Sequence, residues 1–359
     1  MSITQHSVVV TQEDPAISII PQASQPNRVS TPEFGKESLH RGISSPMAPS
    51  FHPDSLPDLE SRVYVVTGGN TGIGYHTVLH LTKHNAKVYL GCRNATKGNE
   101  AIANIKTRVP HANVQLLVMD LMNMESVIAA AKEVLSKETK LYGLINSAGI
   151  MATPFEVTAD GYESQIQTNY LSHWVLTYHL LPLLQQTAAT SAKGDVRIVN
   201  VSSMGHKQAS SEGINFEDIN LKEKFTFSRY AQSKLANVLH AKALNKRFGP
   251  QRQNAGDEGE IWVASLHPGN VDTQLNTKAA GSIAVLVLRF FGVYIKPEQG
   301  SFTSLYAAAS SDFKAQDSGE YFVPIAQKSK PSKKANNPEL AEKLWTWTEN
   351  EMRSKGFIQ

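Results

Sequence analysis

Short apolar runs recur along the chain from residue 61 onwards, separated by glycine, proline and polar residues. Most are four to six residues long and rich in β-branched and aromatic side chains, which is typical of buried strands. The predicted strands cover residues 63–66, 87–90, 114–119, 141–146, 196–201, 261–266 and, as a short closing strand, 321–323.

Helical patterns fill the intervals between these strands, at residues 75–83, 97–107, 124–136 and 161–184. Regular alternation of strand and helix predicts an α/β fold, in which helices cover both faces of a mainly parallel sheet. We expect a single Rossmann-type, doubly wound domain of seven strands over residues 60–327, followed by a C-terminal tail and helix over 328–359. Ligands of such a sheet bind at the carboxyl ends of its strands.

Residues 1–59 have a different composition, with 8 of the 17 prolines, many serines and no sustained apolar period. Such a stretch cannot bury enough apolar surface to offset the entropy of ordering, so we predict a disordered extension. A partner-binding or targeting arm is the alternative interpretation.

The whole chain has 359 residues, of which 41% are hydrophobic and 19% charged, as in ordinary globular proteins. A net charge of only +3 gives no indication of nucleic-acid binding. The only cysteine, Cys92, excludes an internal disulfide and suits a reducing compartment. Because no secretory signal pattern opens the chain, we expect a cytoplasmic protein.

A glycine-rich turn follows the first strand and precedes a helix. Gly68 would allow a sharp turn, Gly72 would let the backbone approach a phosphate, and Gly74 would let the helix pack closely. Strand, turn and helix together form a site for the pyrophosphate of a dinucleotide. The candidate residues are Gly68, Asn70, Thr71, Gly72, Ile73 and Gly74.

The end of the second strand carries Arg93 where NAD-specific folds place a carboxylate for the ribose hydroxyl. A guanidinium can hold a 2′-phosphate by charge-assisted bonds, so this position predicts NADP(H). A solvated surface arginine is the alternative.

Tyr230 and Lys234 lie four residues apart in a helical stretch and therefore share one face. A free phenol has a pKa near ~10, and a neighbouring ammonium lowers it. Tyr230 could then exchange a proton with a carbonyl or alcohol oxygen. The hydroxyls of Ser202 and Ser203 follow the fifth strand, where one of them could polarise the same oxygen.

Together these motifs resemble the short-chain dehydrogenase/reductase family over residues 61–325, by T-G-x-x-x-G-x-G at 67–74, Y-x-x-x-K at 230–234 and P-G-x-V-x-T at 268–273. Residues 230–239, 91–93 and 298–300 look like its retinol-dehydrogenase-like branch.

The resemblance implies a role for several further residues. Ser203 matches the catalytic serine, and Asn169 matches an asparagine that holds a water near the lysine. Asp120 would accept from the adenine amino group, although it could instead cap the next helix. Asn146 begins N-S-A-G, which resembles the family's N-N-A-G segment beside the adenine ribose, and Val271 and Thr273 would bind the nicotinamide carboxamide.

The resemblance also places a substrate lid at residues 274–296, where residues 283–293 are strongly apolar. A lipophilic carbonyl or alcohol, such as a terpenoid, polyketide, steroid-like or retinoid-like compound, would suit this lid. The apolar side chains could instead pack the lid on its own domain. The run is shorter than the ~20 residues of a membrane span, so contact with a membrane would be peripheral.

These observations predict an NADP(H)-dependent oxidoreductase that transfers hydride to or from a lipophilic small molecule, in a direction that the residues leave open. A non-catalytic NADP-binding regulator or scaffold is the alternative. Family members commonly form homodimers through the helices that hold Asn169 and Tyr230. His173 and His179 flank Trp174 without an acidic or cysteine partner at ligand spacing, so no metal site is expected.

Overall fold

A computed structural model describes residues 51–252, 259–271 and 295–359, and all of these belong to one compact unit. At its centre is one sheet of eight strands in the order β3-β2-β1-β4-β5-β6-β7-β8. The strands are β1 Val63–Thr67, β2 Lys87–Cys92, β3 Asn113–Val118, β4 Gly143–Asn146, β5 Arg197–Val201, β6 Trp262–Leu266, β7 Tyr321–Val323 and β8 Gln327–Ser329.

The central strands are buried on both faces because successive side chains enter two different cores. In β1, Val63 and Val65 belong to one apolar core, whereas Tyr64 and Val66 belong to the other. This is the period of two that a strand imposes on its side chains. β1 pairs in parallel with both β2 and β4, so the direction of the strand order changes between β1 and β4. This is the topological switch point of a doubly wound sheet.

Helices cover both faces, as the alternating pattern predicts. They are α1 Gly72–Lys83, α2 Ala95–Arg108, α3 Met124–Lys137, α4 Ser164–Ile166, α5 Ser172–Ala189, α6 Thr226–Phe248, α7 Pro297–Ala309 and α8 Pro338–Ser354, with a π-helical segment Gln167–Leu171 between α4 and α5. One core includes side chains of α1, α2 and α7, and the other includes side chains of α3, α5, α6 and α8. The predicted α/β doubly wound fold is confirmed.

The sheet has one strand more than predicted. β8 pairs with β7 in the antiparallel direction, whereas every other pairing in the sheet is parallel among the described residues. Its three residues, Gln327–Ser329, are polar and mostly exposed, so they form no apolar run of the kind by which β7 was predicted.

The domain also begins earlier than residue 60. Phe51, Leu56 and Leu59 are buried, and the Phe51 ring packs against Tyr306 at 5.5 Å between centroids. The Leu59 amide donates to the His84 carbonyl oxygen at 2.8 Å. Residues 51–59 are thus part of the folded domain, and the remainder of the predicted extension, residues 1–50, lies outside the described residues.

Helix α8 packs on α5 and α6 and belongs to the same core rather than to a separate tail. Trp345 contacts the Trp174 ring edge-on at 5.4 Å, and Tyr170 Oη lies 2.7 Å from Thr348 Oγ1. The helices predicted to form a homodimer are therefore covered, in part, by the chain's own C-terminal helix. No helix among the described residues is long and apolar enough to cross a membrane.

Candidate active site

The glycine turn between β1 and α1 has the backbone geometry that its sequence predicts. Gly68 and Gly72 have φ values of +67° and +54°, in the left-handed region that disfavours a Cβ. A Cβ at Gly74 would lie 2.3 Å from the Gly68 carbonyl oxygen, so the close approach of helix and turn requires glycine. Thr71, the N-cap of α1, makes no side-chain cap bond. The first N–H groups of α1 are therefore available to an anion such as a pyrophosphate.

A cleft of about 650 Å³ runs along the carboxyl ends of the strands. It joins the glycine turn to the Tyr230 and Lys234 side chains, and the segment after β4 forms part of its wall. Of the predicted residues, those that line it are Gly68, Asn70, Thr71, Gly72, Ile73, Gly74, Arg93, Asp120, Tyr230 and Lys234. The structure thus brings the predicted cofactor and catalytic motifs into one cavity.

Arg93 and Asp120 lie in this cleft at the ends of β2 and β3. Arg93 is exposed, and its neighbour Asn94 caps α2 by accepting from the Lys97 amide at 3.0 Å. Asp120 Oδ1 accepts from the Met122 amide at 3.0 Å. The cap of α3 is Asn123, so the alternative of Asp120 as a helix cap is wrong.

The Asn146 side chain is buried and is not among the groups that line the cleft, although it begins the segment predicted to lie beside the cofactor. Its amide Nδ2 donates to Asn200 Oδ1 at 2.9 Å and to Thr177 Oγ1 at 3.2 Å, inside the core. The next residues, 147–150, line the cleft instead. The motif is in the predicted place, and the Asn146 side chain holds the strand ends together.

Tyr230 lines the cleft, and the predicted catalytic serine, Ser203, lies close to it just behind the cleft wall. Tyr230 is 7% exposed, and the Ser203 side chain is near enough to its phenol to lower the pKa of that group. Ser203 Oγ accepts from the Gly205 amide at 3.1 Å, and a Cβ at Gly205 would lie 3.1 Å from the Tyr230 ring. The Ser202 hydroxyl has a different partner, since it donates to the Lys234 carbonyl oxygen at 2.6 Å.

Lys234 lies beneath the tyrosine ring, with Nζ 5.8 Å from the ring centroid and 3.0 Å from the Val201 carbonyl oxygen, to which it donates. Burial lowers its pKa to about 8. Burial also raises the pKa of Tyr230, against a smaller lowering by the Ser203 side chain. The expected lowering of the phenol pKa is therefore absent in the protein alone, because desolvation outweighs the neighbouring groups.

Asn169 lies behind the lysine, in the π-helical segment. Its side chain accepts from the Ile150 amide at 2.8 Å and donates to the Ile150 carbonyl oxygen at 3.0 Å and to Ser233 Oγ at 2.9 Å. A Cβ at Gly149 would lie 3.1 Å from Asn169 Oδ1 and 3.3 Å from Lys234 Nζ. Asn169 thus joins the segment after β4 to the helix that carries Tyr230 and Lys234.

His173 is a buried residue of the site whose contacts the sequence did not reveal. Thr67 Oγ1 accepts from the Ser147 and Ala148 amides, each at 2.9 Å, so its proton is directed to His173 Nε2 at 2.8 Å. His173 Nδ1 then donates to the Asn169 carbonyl oxygen at 3.0 Å. This network assigns the tautomer of a neutral ring, and burial accordingly lowers the His173 pKa to about 4.

The nicotinamide loop is described only in part. Val271 forms a parallel bridge with Ile295, whereas Thr273 and residues 274–294 of the predicted lid lie outside the described residues.

Comparisons with known proteins agree with this geometry. The family described as short chain dehydrogenase matches residues 62–217. The short-chain dehydrogenase/reductase drtF of Aspergillus calidoustus is 53% identical over 315 residues, which cover 87% of this chain and 100% of that protein. Retinol dehydrogenase 12 of Homo sapiens is 35% identical over 289 residues, covering 80% of this chain and 85% of that protein.

A crystal structure of an uncharacterised protein from Mycobacterium paratuberculosis has the same fold, with a TM-score of 0.65 and 29% identity, over 85% of this chain and 98% of that chain. These matches are long, and their identity reaches 53%. Together with the tyrosine, serine and lysine beside a glycine turn, they identify the family of this chain. The chain belongs to the short-chain dehydrogenase/reductase family, in its retinol-dehydrogenase-like type, and is an oxidoreductase that acts on CH–OH or C=O groups.

Proposed function

We propose that the protein transfers hydride between NADP(H) and the carbonyl or alcohol carbon of a lipophilic small molecule. The observation that carries this proposal is that the Tyr230 phenol, with the Lys234 ammonium 5.8 Å from its ring centroid, lies in the same cleft as the glycine turn. The bound cofactor would supply or accept the hydride, and this chain would position the reactants and move the proton.

In the reductive direction, the hydroxyls of Ser203 and Tyr230 bind the substrate oxygen, and Tyr230 donates its proton as the alcohol forms. The raised pKa of the buried phenol keeps this proton in place at neutral pH. Lys234 holds a positive charge close to the ring and stabilises the phenolate that remains. Asn169 keeps the segment after β4 fixed against this group.

Three features support NADP(H) over NAD(H). Arg93 is an exposed cation in the cleft at the end of β2. No carboxylate occupies residues 91–94, where an acidic residue would repel a 2′-phosphate. The guanidinium also offers planar paired donors that match a phosphate group.

A lipophilic substrate is supported by exposed apolar side chains that are close in sequence to Ser203 and Tyr230. Met204, which follows Ser203, is 49% exposed, and Phe225 and Phe227 near the start of α6 are 87% and 51% exposed. The name of the human relative, retinol dehydrogenase 12, is that of an enzyme for a lipophilic alcohol. We also propose a cytoplasmic location, which the single buried cysteine supports.

The proposal is tested by Tyr230→Phe, with turnover followed as NADPH absorbance in a screen of lipophilic aldehydes and ketones. Removal of one hydroxyl eliminates the proton donor, so we expect kcat to fall about 100- to 10,000-fold while NADPH binding is kept. Tyr142→Phe, at a half-buried tyrosine that contacts Arg62, is the matched control. Near-full activity of Tyr230→Phe would disprove the proposed proton transfer.

The cofactor assignment is tested separately by Arg93→Ala. Loss of a charge-assisted hydrogen bond to the 2′-phosphate should raise the KM for NADPH about 10- to 100-fold and leave that for NADH nearly unchanged. Lys106→Ala, at an exposed cation of α2 outside the cleft, is the control. An unchanged ratio of the two cofactors in Arg93→Ala would refute the role of Arg93.

A further inference from the structure

A second cluster of chemically active side chains lies at the rim of the cleft, between α1 and α7. His76 and His80 are four residues apart in α1 and therefore share one face of that helix. Glu298 lies in the first turn of α7, which packs against α1. His80 Nε2 is 3.1 Å from Glu298 Oε1.

The donor atoms of this His76–His80–Glu298 cluster are close enough to share an ion. One ring nitrogen from each histidine and one carboxylate oxygen all lie within 4.8 Å of one another. Around a tetrahedral zinc with bonds of ~2.0–2.1 Å, neighbouring donor atoms are about 3.3 Å apart. The 3.1 Å separation of His80 and Glu298 already matches that spacing. A ligand atom of His76 lies within 4.8 Å of both and would supply the third corner.

Each ring also has a nitrogen atom that no other described group uses. The Nδ1 atoms of both rings are buried and have no hydrogen-bond partner within the described part of the chain. The Phe302 ring packs edge-on against the His80 ring, with the ring centroids 6.0 Å apart. This contact limits the rotation of the His80 ring.

We propose that His76, His80 and Glu298 bind a divalent transition-metal cation of the zinc type, which fastens α1 to α7 at the rim of the cofactor cleft. Two imidazoles and one carboxylate form a donor set that zinc accepts and that hard cations such as Mg²⁺ do not prefer. His76 and Pro297 line the cleft, so the ion would hold the helix of the glycine turn against the helix that follows the predicted lid. The two histidines are not those considered from the sequence, His173 and His179.

The test uses the full chain, without an affinity tag of histidines and stripped of metal by chelation. Titration calorimetry with ZnCl₂ should give one saturable site, and Co²⁺ should produce the visible absorption of a site with nitrogen and oxygen ligands. The melting temperature should rise with Zn²⁺, because a ligand that binds only the folded state stabilises it. MgCl₂ should have no such effect.

His80→Gln and Glu298→Gln should each weaken Zn²⁺ binding by at least about 10-fold, since loss of a metal ligand costs no less than loss of a group that merely orients one. His111→Gln, at an exposed histidine away from the cluster, should leave binding unchanged. Glu298 is partly exposed, so its variant keeps the proposal testable if His80→Gln fails to fold. Absence of saturable binding in the native chain, or equal affinity in Glu298→Gln and the native chain, would overturn the proposal.

Discussion

His173 joins three separate parts of the site through the two nitrogens of a single ring. It binds Thr67 at the end of β1 and the Asn169 carbonyl in the π-helical segment, and Thr67 in turn holds the segment after β4. Because the ring accepts at one nitrogen and donates at the other, an apolar side chain in its place would lose both bonds. We infer that His173 is a positioning residue for Asn169.

His173→Ala should destabilise the protein by about 1–3 kcal/mol, because it leaves the Thr67 hydroxyl and the Asn169 carbonyl without a buried partner. Urea unfolding would measure this change. His179→Ala is the matched control on the same helix, since its single bond to the Phe357 carbonyl oxygen lies in a partly exposed place. Equal stability of the two variants would contradict the prediction that the His173 hydrogen bonds stabilise the fold.

The sequence predicts which side chains lie together when they belong to the same helix or strand, because their spacing along the chain then fixes the face they share. Tyr230 and Lys234 were found because positions four apart on a helix share a face. The core contacts of the Asn146 side chain were not predictable, since a strand directs alternate side chains to opposite faces and the motif alone does not show which face borders the cleft. His173 could have been suspected only as a buried polar residue in an apolar helix.

At the scale of elements, α8 determines which surfaces of the domain remain available. Its side chains Ala341, Leu344 and Met352 are buried in the core that also includes α5 and α6. The Arg247 guanidinium lies 4.3 Å from the centroid of the Trp345 ring and bonds Glu342. A homodimer formed through α5 and α6 could use only the parts of these helices that α8 leaves uncovered.

Leu344→Ala should lower the free energy of unfolding by about 2–5 kcal/mol, as expected for a fully buried leucine. Chemical denaturation monitored by tryptophan fluorescence would follow the change. Thr346→Ala, at an exposed position of α8, should alter it by less than about 0.5 kcal/mol. Similar stability of both variants would show that α8 is only loosely attached.

On the scale of the whole molecule, several buried neutral histidines make stability depend on pH. Burial lowers the pKa of His173 and His267 to about 4 and that of His240 to about 3, compared with 6.5 for a free ring. The unfolded chain therefore binds more protons than the folded protein below pH 6.5. Above pH 6.5 the neutral histidines do not lower the free energy of unfolding. As the pH falls from 6.5 towards 4, that free energy decreases progressively.

Each such histidine should contribute a slope of about 1.4 kcal/mol per pH unit in this window. His240→Gln should reduce the slope of the unfolding free energy against pH between pH 6.5 and 4.5 by about 1.4 kcal/mol per pH unit, which corresponds to one bound proton. This change in slope is expected whatever the effect of the variant on stability at neutral pH. His111→Gln, at an exposed ring, should leave the slope unchanged. Equal slopes in His240→Gln and the native protein would mean that His240 is already protonated in the fold.

The sequence by itself determined the order of strands and helices along the chain, the glycine turn, and the shared helix face of Tyr230 and Lys234. These features depend on local periodicity and on residues close together along the chain, whereas the choice of Ser203 over Ser202 rested on family resemblance. Only the tertiary structure decided that the domain begins before residue 60, that α8 covers α5 and α6, and that His76, His80 and Glu298 meet. Those contacts join segments far apart in sequence, and their formation depends on how the whole sheet and its two helical layers pack.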